Sequence, residues 1–342
     1  MIRWQRGETT MIDSFKAVVV DKKDEDFSLK VEQVSLDTLS KGNVLIEVHY
    51  SGVNYKDGLA SVPNGKIVRS YPHIPGIDLA GVVVSSEDER YQKGDKVIAT
   101  SYEIGVSHSG GYSQYANIPA EWIVPLPEGL TLKEAMIIGT AGFTAALSVQ
   151  RLEDNGLKPG TGKVLVTGST GGVGSIGVAM LAKLGYEVEA STGKESEHDY
   201  LTAIGASSII SRTDIYDGKV KALDKQQWAG AIDPVGGSTL AAITSKLQYN
   251  GSVAVSGLTG GGDVPATVYP FILRGVNVLG IDSVYCPMET RTKVWNRIAS
   301  DLKPVDLTQF IASEVTLEEL PSVLPTILQG SVRGRIIVDI RG

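Results

Sequence analysis

The chain has one cysteine, Cys286, only four histidines and no run of eighteen apolar residues, and each shortage closes a class of function. A single cysteine forms no internal disulfide and suits a reducing compartment; it reads as a small buried residue rather than a catalytic thiol. His49, His73, His108 and His198 are scattered, without H-x-x-x-H or carboxylate-paired spacing, so they read as surface or packing residues rather than ligands. The absence of a long apolar stretch argues against a membrane span, and the N-terminus M-I-R-W-Q-R-G-E-T-T lacks the apolar core of a signal peptide. A cytoplasmic protein is expected. Met11 precedes the first strand-like run, Phe15 to Val20, which leaves the first ten residues as a disordered lead-in or an artefact of start-site choice. With 39 acidic against 32 basic residues the net charge is −7, and no basic block offers itself to a phosphate backbone, so nucleic acid is not an expected partner. A G-x-S-x-G turn, the mark of one large hydrolase class, does not occur.

What is present is glycine in one telling place. Lys163 to Gly177 reads K-V-L-V-T-G-S-T-G-G-V-G-S-I-G: a buried strand, a glycine-rich turn, then a helix. Gly171, Gly172 and Gly174 stand where a Cβ would hold backbone and phosphate apart or keep helix from strand. The N–H groups of Thr170 to Gly174 at the helix N-terminus lack intrahelical partners and carry the positive end of its dipole, so they suit a dinucleotide's pyrophosphate. The first glycine of the usual G-x-G-x-x-G is Ser169 here, whose hydroxyl can meet phosphate or serve as a plain turn serine. Gly177, Ala179 and Ala182 let the helix lie close to a sheet, and Gly185 ends it before a second strand, Glu187 to Ser191. Apolar runs at Ala206 to Ile210, Ala229 to Asp233, Ser252 to Ser256 and Val276 to Ile281 recur with helical stretches between. That alternation predicts a parallel sheet wound on both faces, an α/β fold.

The end of the second strand decides which dinucleotide fits. NAD-preferring sites place an acid there for the ribose 2′-OH. Counting from Gly185, the position is Thr192, preceded by Ser191 and followed by Gly193 and Lys194: two hydroxyls and a cation. A 2′-phosphate suits such a group, so NADPH is expected; a one-residue slip of register would instead bring up Glu189 as the acid. Arg212, after the third strand, stacks on adenine or is a solvated surface arginine.

Before this segment the texture is β-rich, with short strands at Val44 to Tyr50, Gly81 to Val84 and Lys96 to Thr100 between Gly, Pro and Asp turns. After a long helix, Met288 to Leu302, the end of the chain reads as an alternating strand, Arg335 to Ile340. A first domain, residues 1–139, is therefore expected to be completed by residues 303–342, with the nucleotide-binding domain at 140–302.

Several strings in one order, G-V-N-Y-K-D (Gly52 to Asp57), P-G-I-D-L-A-G (Pro75 to Gly81), G-T-A-G-F-T-A (Gly139 to Ala145), T-G-G-V-G, D-P-V-G-G (Asp233 to Gly237) and S-G-L-T-G-G (Ser256 to Gly261), resemble the medium-chain dehydrogenases/reductases over nearly the whole chain. With N-Y-K-D-G-L and P-F-I-L-R-G-V, the chain looks most like the zinc-free quinone oxidoreductase branch and its acryloyl-CoA reductase-like subgroup. The resemblance implies a Rossmann domain inserted in a GroES-like catalytic domain, a cleft between them, and a homodimer joined through the nucleotide-binding sheets. Zinc-dependent relatives have Cys, His and Cys where this chain has Asn54, Ile77 and a residue near Thr140; an amide, a sec-butyl group and a hydroxyl are not the N/S set zinc prefers, so no metal is expected.

Without a metal to polarise a carbonyl, hydride must go to an acceptor already activated: an acryloyl-CoA-type enoyl thioester or enone first, a quinone as the alternative; a non-catalytic NADPH-binding redox sensor is the reading from another class. Tyr55, in the motif that corresponds to the metal-ligand loop, is the first candidate to donate to the acceptor oxygen or support protonation, or it packs on the cofactor ring. Asn54 can orient cofactor or substrate. Lys56 and Asp57 read as an ion pair or helix-start contact, and Asp78 as a residue bonding local backbone. Thr140 and Thr144 are expected to line the nicotinamide pocket, though Thr144 can also bond back within its helix. By resemblance, Ser256, Gly257 and Leu258 pass over the cofactor, and Ile272 and Ser283 reach its nicotinamide half. Relatives often have Asn where this chain has Gly330, with Arg333 as a substitute contact there. Lys66, Arg69, Arg274 and Arg333 are the candidate rim for CoA phosphates or ordinary surface charges.

Overall fold

The computed structural model describes residues 13–342; Met1 to Thr10 lie outside the described residues. The chain opens with an antiparallel hairpin, β1 (Phe15–Lys23) and β2 (Asp26–Val34). It then builds most of a first sheet from β3 (Val44–Val53), β4 (Asp78–Ser86), β5 (Lys96–Thr100), β6 (Tyr115–Ile118) and β7 (Ile123–Pro125), with the short helix α1 (Tyr55–Ala60) after β3. Helix α2 (Leu132–Asp154) leads out of it.

A second sheet follows, from β8 (Lys163–Val166), β9 (Val188–Ser191), β10 (Ser208–Ile210), β11 (Trp228–Asp233), β12 (Leu247–Val255) and β13 (Asn277–Gly280). Its helices are α3 (Gly172–Lys183), α4 (His198–Ala203), α5 (Arg212–Ile215), α6 (Gly237–Lys246), α7 (Tyr269–Arg274) and α8 (Met288–Ile298). All pairings are parallel, in the order β10-β9-β8-β11-β12-β13. This is the doubly wound 3-2-1-4-5-6 arrangement, whose order reverses between β8 and β11 and opens a crevice at the strands' C-terminal ends.

The chain then returns: β14 (Ile311–Thr316) pairs with β15 (Arg335–Asp339), and β15 pairs antiparallel with β3. The sequence pattern suggests alternation in that last strand. Instead Arg335 to Val338 are buried in succession, because the two faces of β15 pack into different cores, Ile337 into one and Ile336 and Val338 into the other.

Helix α2 joins the two sheets. Thr131 and Glu134 form a reciprocal capping box at its start. It is long and apolar enough to cross a bilayer by composition, but 83% of its apolar window is buried inside the protein, so it is a core helix. Gly139 breaks it with φ +51° and ψ −160°. A side chain there would also lie 2.6 Å from the Arg335 guanidinium and 2.7 Å from the Asp78 carboxylate. The kink takes the Thr140 N–H and the Ile137 carbonyl out of the helical ladder and turns both toward those two charged groups.

Candidate functional site

Backbone conformation and space together shape the glycine turn. Gly168, at φ +54°, reverses the chain after β8, and a Cβ on Gly174 would stand 2.3 Å from the Gly168 carbonyl oxygen. Only glycine lets α3 start this close to β8. Gly172 is less crowded, facing the side chains of Ala141 and Arg335 at 3.1 Å. The first N–H groups of α3, at Gly172, Val173 and Gly174, are thereby presented at the crevice with no intrahelical acceptor. Above them runs the loop before β15, whose Gly334 N–H donates to the Thr170 carbonyl at 2.9 Å.

Ser169 is a correction. Its hydroxyl donates to the Val166 carbonyl at 2.6 Å and accepts from the Ser191 N–H at 3.0 Å, and its own N–H donates to the Ser191 carbonyl. The side chain is fully buried. It ties β8 to β9 and has nothing left for phosphate.

Strand β9 ends at Ser191, which places Thr192 just beyond it. Ser191 and Thr192 are buried, and the Thr192 hydroxyl accepts from the Lys194 N–H at 3.0 Å. The Lys194 ammonium reaches the carbonyls of Gly330 and Ser331, clasping the β9 end to the C-terminal loop. Arg333 lies there too, 4.7 Å over the Tyr200 ring and 3.4 Å from Glu197. Arg212 packs its guanidinium against Gly193, where an added Cβ would come within 3.1 Å of it. Glu189, by contrast, is inside the strand. It is bound by Lys163 at 2.8 Å, the Trp228 indole N–H at 2.8 Å and Ser208, and these donors hold its carboxyl below the usual range against the opposing effect of burial. A carboxylate so engaged is not available to a ribose.

The opposite wall of the crevice is a buried polar network. Asn54 and Asp57 cap α1 reciprocally: Asp57 accepts from the Asn54 N–H at 2.8 Å, and its other oxygen accepts from the Ile77 N–H at 2.9 Å. Lys56 takes no part in that cap. Asp78 was expected to bond local backbone. Instead its Oδ2 accepts from the Thr140 N–H and the Asn54 amide, each at 2.9 Å, and Oδ1 accepts from the Thr140 hydroxyl. Its charge partner, Arg335, is 3.6 Å away and also bonds the Val53 carbonyl, Asn54 Oδ1 and the Ile137 carbonyl. Burial, and then the neighbouring Asp78, push the Asp57 carboxyl up to about 7.

Thr140 continues to Ser101 (3.1 Å between hydroxyls), and the Thr144 hydroxyl donates to the Thr140 carbonyl at 2.7 Å and lies 2.9 Å from the Ser283 hydroxyl. The structure thus gathers Asn54, Thr140, Thr144 and Ser283 with Asp57, Asp78, Ser101 and Arg335, which sequence reasoning left out of the site. One signal was legible: an arginine heading an otherwise apolar strand. Tyr55, first residue of α1, is 52% exposed, so its phenol is free to meet a ligand. Leu258 and Ile272 are also exposed, while the Ser256 hydroxyl is buried without a partner. Gly257 is pinned by close approach, 2.1 Å from the Pro234 carbonyl oxygen to its would-be Cβ.

Of the candidate basic rim, Arg274 is withdrawn: it binds the carbonyls of Ser245, Leu247 and Asp224 and so closes the end of α6. Arg69 pairs with Glu103 at 3.6 Å. The donor set does not fit zinc. Asn54 and Thr140 are bonded to Asp78, Ile77 offers no donor, and among the described residues no three His, Cys, Asp or Glu side chains come together as ligands.

The alcohol dehydrogenase GroES-like domain family matches residues 40–128, and the zinc-binding dehydrogenase family matches residues 172–300. Acrylyl-CoA reductase AcuI of Ruegeria pomeroyi is 52% identical over 328 residues, covering 95% of this chain and 99% of that protein. The crystal structure of Bacillus subtilis yhfP with NAD bound superposes with TM-score 0.94 at 62% identity, covering 96% and 99% of the two chains. That of Escherichia coli K-12 YhdH with bound NADPH gives 0.90 at 44% identity, covering 94% and 99%.

Proposed function

Because this chain belongs to the medium-chain dehydrogenase/reductase superfamily, in its zinc-free quinone oxidoreductase and acryloyl-CoA reductase-like branch, we propose that it uses NADPH to reduce an activated carbon–carbon double bond, with an acryloyl-CoA-type thioester as the leading acceptor. The observation that carries the acceptor is the 52% identity with AcuI over 95% of this chain. Residues 140–302 are assigned to the nucleotide-binding domain and residues 1–139 and 303–342 to the catalytic domain, in a cytoplasmic enzyme. The exposed apolar side chains of Phe271, Leu273 and Val278, along the edge strand β13 and helix α7, are assigned to contact with a second copy.

Bound NADPH supplies a hydride to the β-carbon of the acceptor. The protein's part is position and charge. The N–H groups of Gly172, Val173 and Gly174 take the pyrophosphate, with Thr170 and Gly171 shaping the turn. Ser191, Thr192, Gly193 and Lys194 take the ribose 2′-phosphate, and Arg212 covers the adenine. Thr140, Thr144, Ser256, Gly257, Leu258, Ile272 and Ser283 bound the nicotinamide half, and Asn54 orients the reactants. As charge collects on the acceptor's carbonyl oxygen, the Tyr55 phenol donates to it, and a proton then reaches the α-carbon.

Two measurements follow. With acryloyl-CoA, a simple enone and a quinone offered side by side, loss of reduced-nicotinamide absorbance is expected to be fastest with acryloyl-CoA; no reaction with it removes the thioester assignment. Lys194→Ala is expected to weaken NADPH by about 10- to 100-fold, the worth of a charge-assisted hydrogen bond, and NADH by less than about threefold. Since yhfP was solved with NAD, the ratio of the two losses is the informative quantity, and equal losses would contradict the phosphate assignment.

A further inference from the structure

We propose that Arg291, on α8, is a positioning residue that sets the spacing of the Thr140 and Thr144 hydroxyls facing the nicotinamide pocket; this rests on the reductase reading above. Arg291 is fully buried, and among the described residues no carboxylate lies within ion-pair distance of it. Burying a guanidinium without a counter-ion is costly, and a packed apolar side chain would serve the core as well or better. Its presence therefore needs another reason, and its partners give one.

One arm of the fork binds Thr100 at the end of β5, through the carbonyl at 3.3 Å and the hydroxyl at 3.0 Å. The other binds the carbonyls of Ser283 and Val284, at 3.0 and 3.1 Å, in the segment after β13. A single side chain thus fastens the first sheet to the second. Its guanidinium lies over the rings of Tyr102 at 4.5 Å and Phe143 at 4.9 Å, which stack in turn on Trp122 and Trp295.

Each arm ends one step from the pocket. Beside Thr100, Ser101 meets the Thr140 hydroxyl; Ser283 itself meets the Thr144 hydroxyl. Thr140 and Thr144 are four residues apart, stacked on one face of α2. Ser101 and Tyr102 both have left-handed backbones, φ +68° and +49°, which non-glycine residues hold only when their surroundings fix them. The Tyr102 N–H donates to the Val284 carbonyl that Arg291 also binds.

The test compares Arg291→Met, Arg291→Lys, Ser283→Ala and the Met/Ala double variant. Arg291→Met is expected to bind NADPH within about threefold of wild type, to lower kcat by about tenfold or more with KM little changed, and to shift the emission of bound NADPH. Lysine is not expected to rescue, because one ammonium cannot span the fork. In the Ser283→Ala background the effect of Arg291→Met is expected to be smaller than in the wild type without vanishing, since Ser283→Ala cuts the Thr144 arm and leaves the Thr140 arm to Arg291. Wild-type kcat and emission in Arg291→Met, or full additivity in the double variant, would overturn the proposal. If Arg291→Met does not fold, Thr100→Val removes one acceptor hydroxyl only and is expected to shift the emission; unchanged emission there overturns it. Should the wild type reduce none of the acceptors, the reductase reading falls while the emission of bound NADPH still decides the role of Arg291.

Discussion

Arg335→Met is expected to lower the free energy of unfolding by about 3–5 kcal/mol, the usual cost of breaking a buried ion pair from one side. The guanidinium is the cation in a pocket that also holds the buried carboxyl groups of Asp57 and Asp78. Methionine fills much of the volume but supplies no charge and no donor. The Val53 and Ile137 carbonyls and Asn54 Oδ1 would lose their bonds together, and each buried acceptor left bare adds to the loss. Because Asn54 and Thr140 are positioned by the same network, turnover should fall with stability. Chemical unfolding followed by circular dichroism measures the first, and initial rates on the fraction that remains folded measure the second. A midpoint equal to the wild type's would show that the network does not hold the first sheet to the kink of α2.

Gly174→Ala is expected to weaken NADPH binding by about 100-fold or more, because misplaced amide donors lose their phosphate contacts at roughly the worth of charged hydrogen bonds. The new methyl would fall 2.3 Å from the Gly168 oxygen and 2.8 Å from both the Gly168 carbonyl carbon and the Ser169 Cα. All three are backbone atoms, so no side chain can swing aside, and the start of α3 must move. Gly177→Ala is the control. Its methyl would meet only the tip of Ile232 at 3.4 Å and Ala145 at 3.8 Å, which is ordinary contact, and alanine favours the helix. Calorimetric titration with NADPH should find Gly177→Ala near wild type and Gly174→Ala without measurable affinity at comparable concentrations. Similar affinities for the two would mean that this helix N-terminus is not the phosphate seat.

These two sites differ in how far the sequence discloses them. The glycine turn is a local device: strand, turn and helix start lie within fifteen consecutive residues of one string, and Gly174 answers to Gly168 six positions away. Thr192 was likewise reachable by counting from Gly185, since the strand between them has a fixed rise per residue. The network around Asp78 is different in kind. Arg335 meets Asn54 across a separation of 281 residues, and nothing near either residue announces the other; only the return of β15 beside β3 brings them together. Ser169 and Arg274 show the converse. Both have side chains suited to phosphate, and both are occupied by backbone carbonyls, an outcome decided by three-dimensional proximity rather than by residue type. The fold was the more legible part because alternation of strands and helices survives in the pattern of apolar runs. Arg335 to Val338 departed from the expected alternation because a strand covered on both faces keeps no polar side to read.

The most direct test follows the hydrogen itself. With NADPH carrying deuterium at both C4 positions of the nicotinamide and acryloyl-CoA as acceptor, the account predicts propionyl-CoA carrying deuterium at its β-carbon, detected by mass and by deuterium resonance. Absence of the saturated thioester, or a saturated thioester with no label at that carbon, would contradict it.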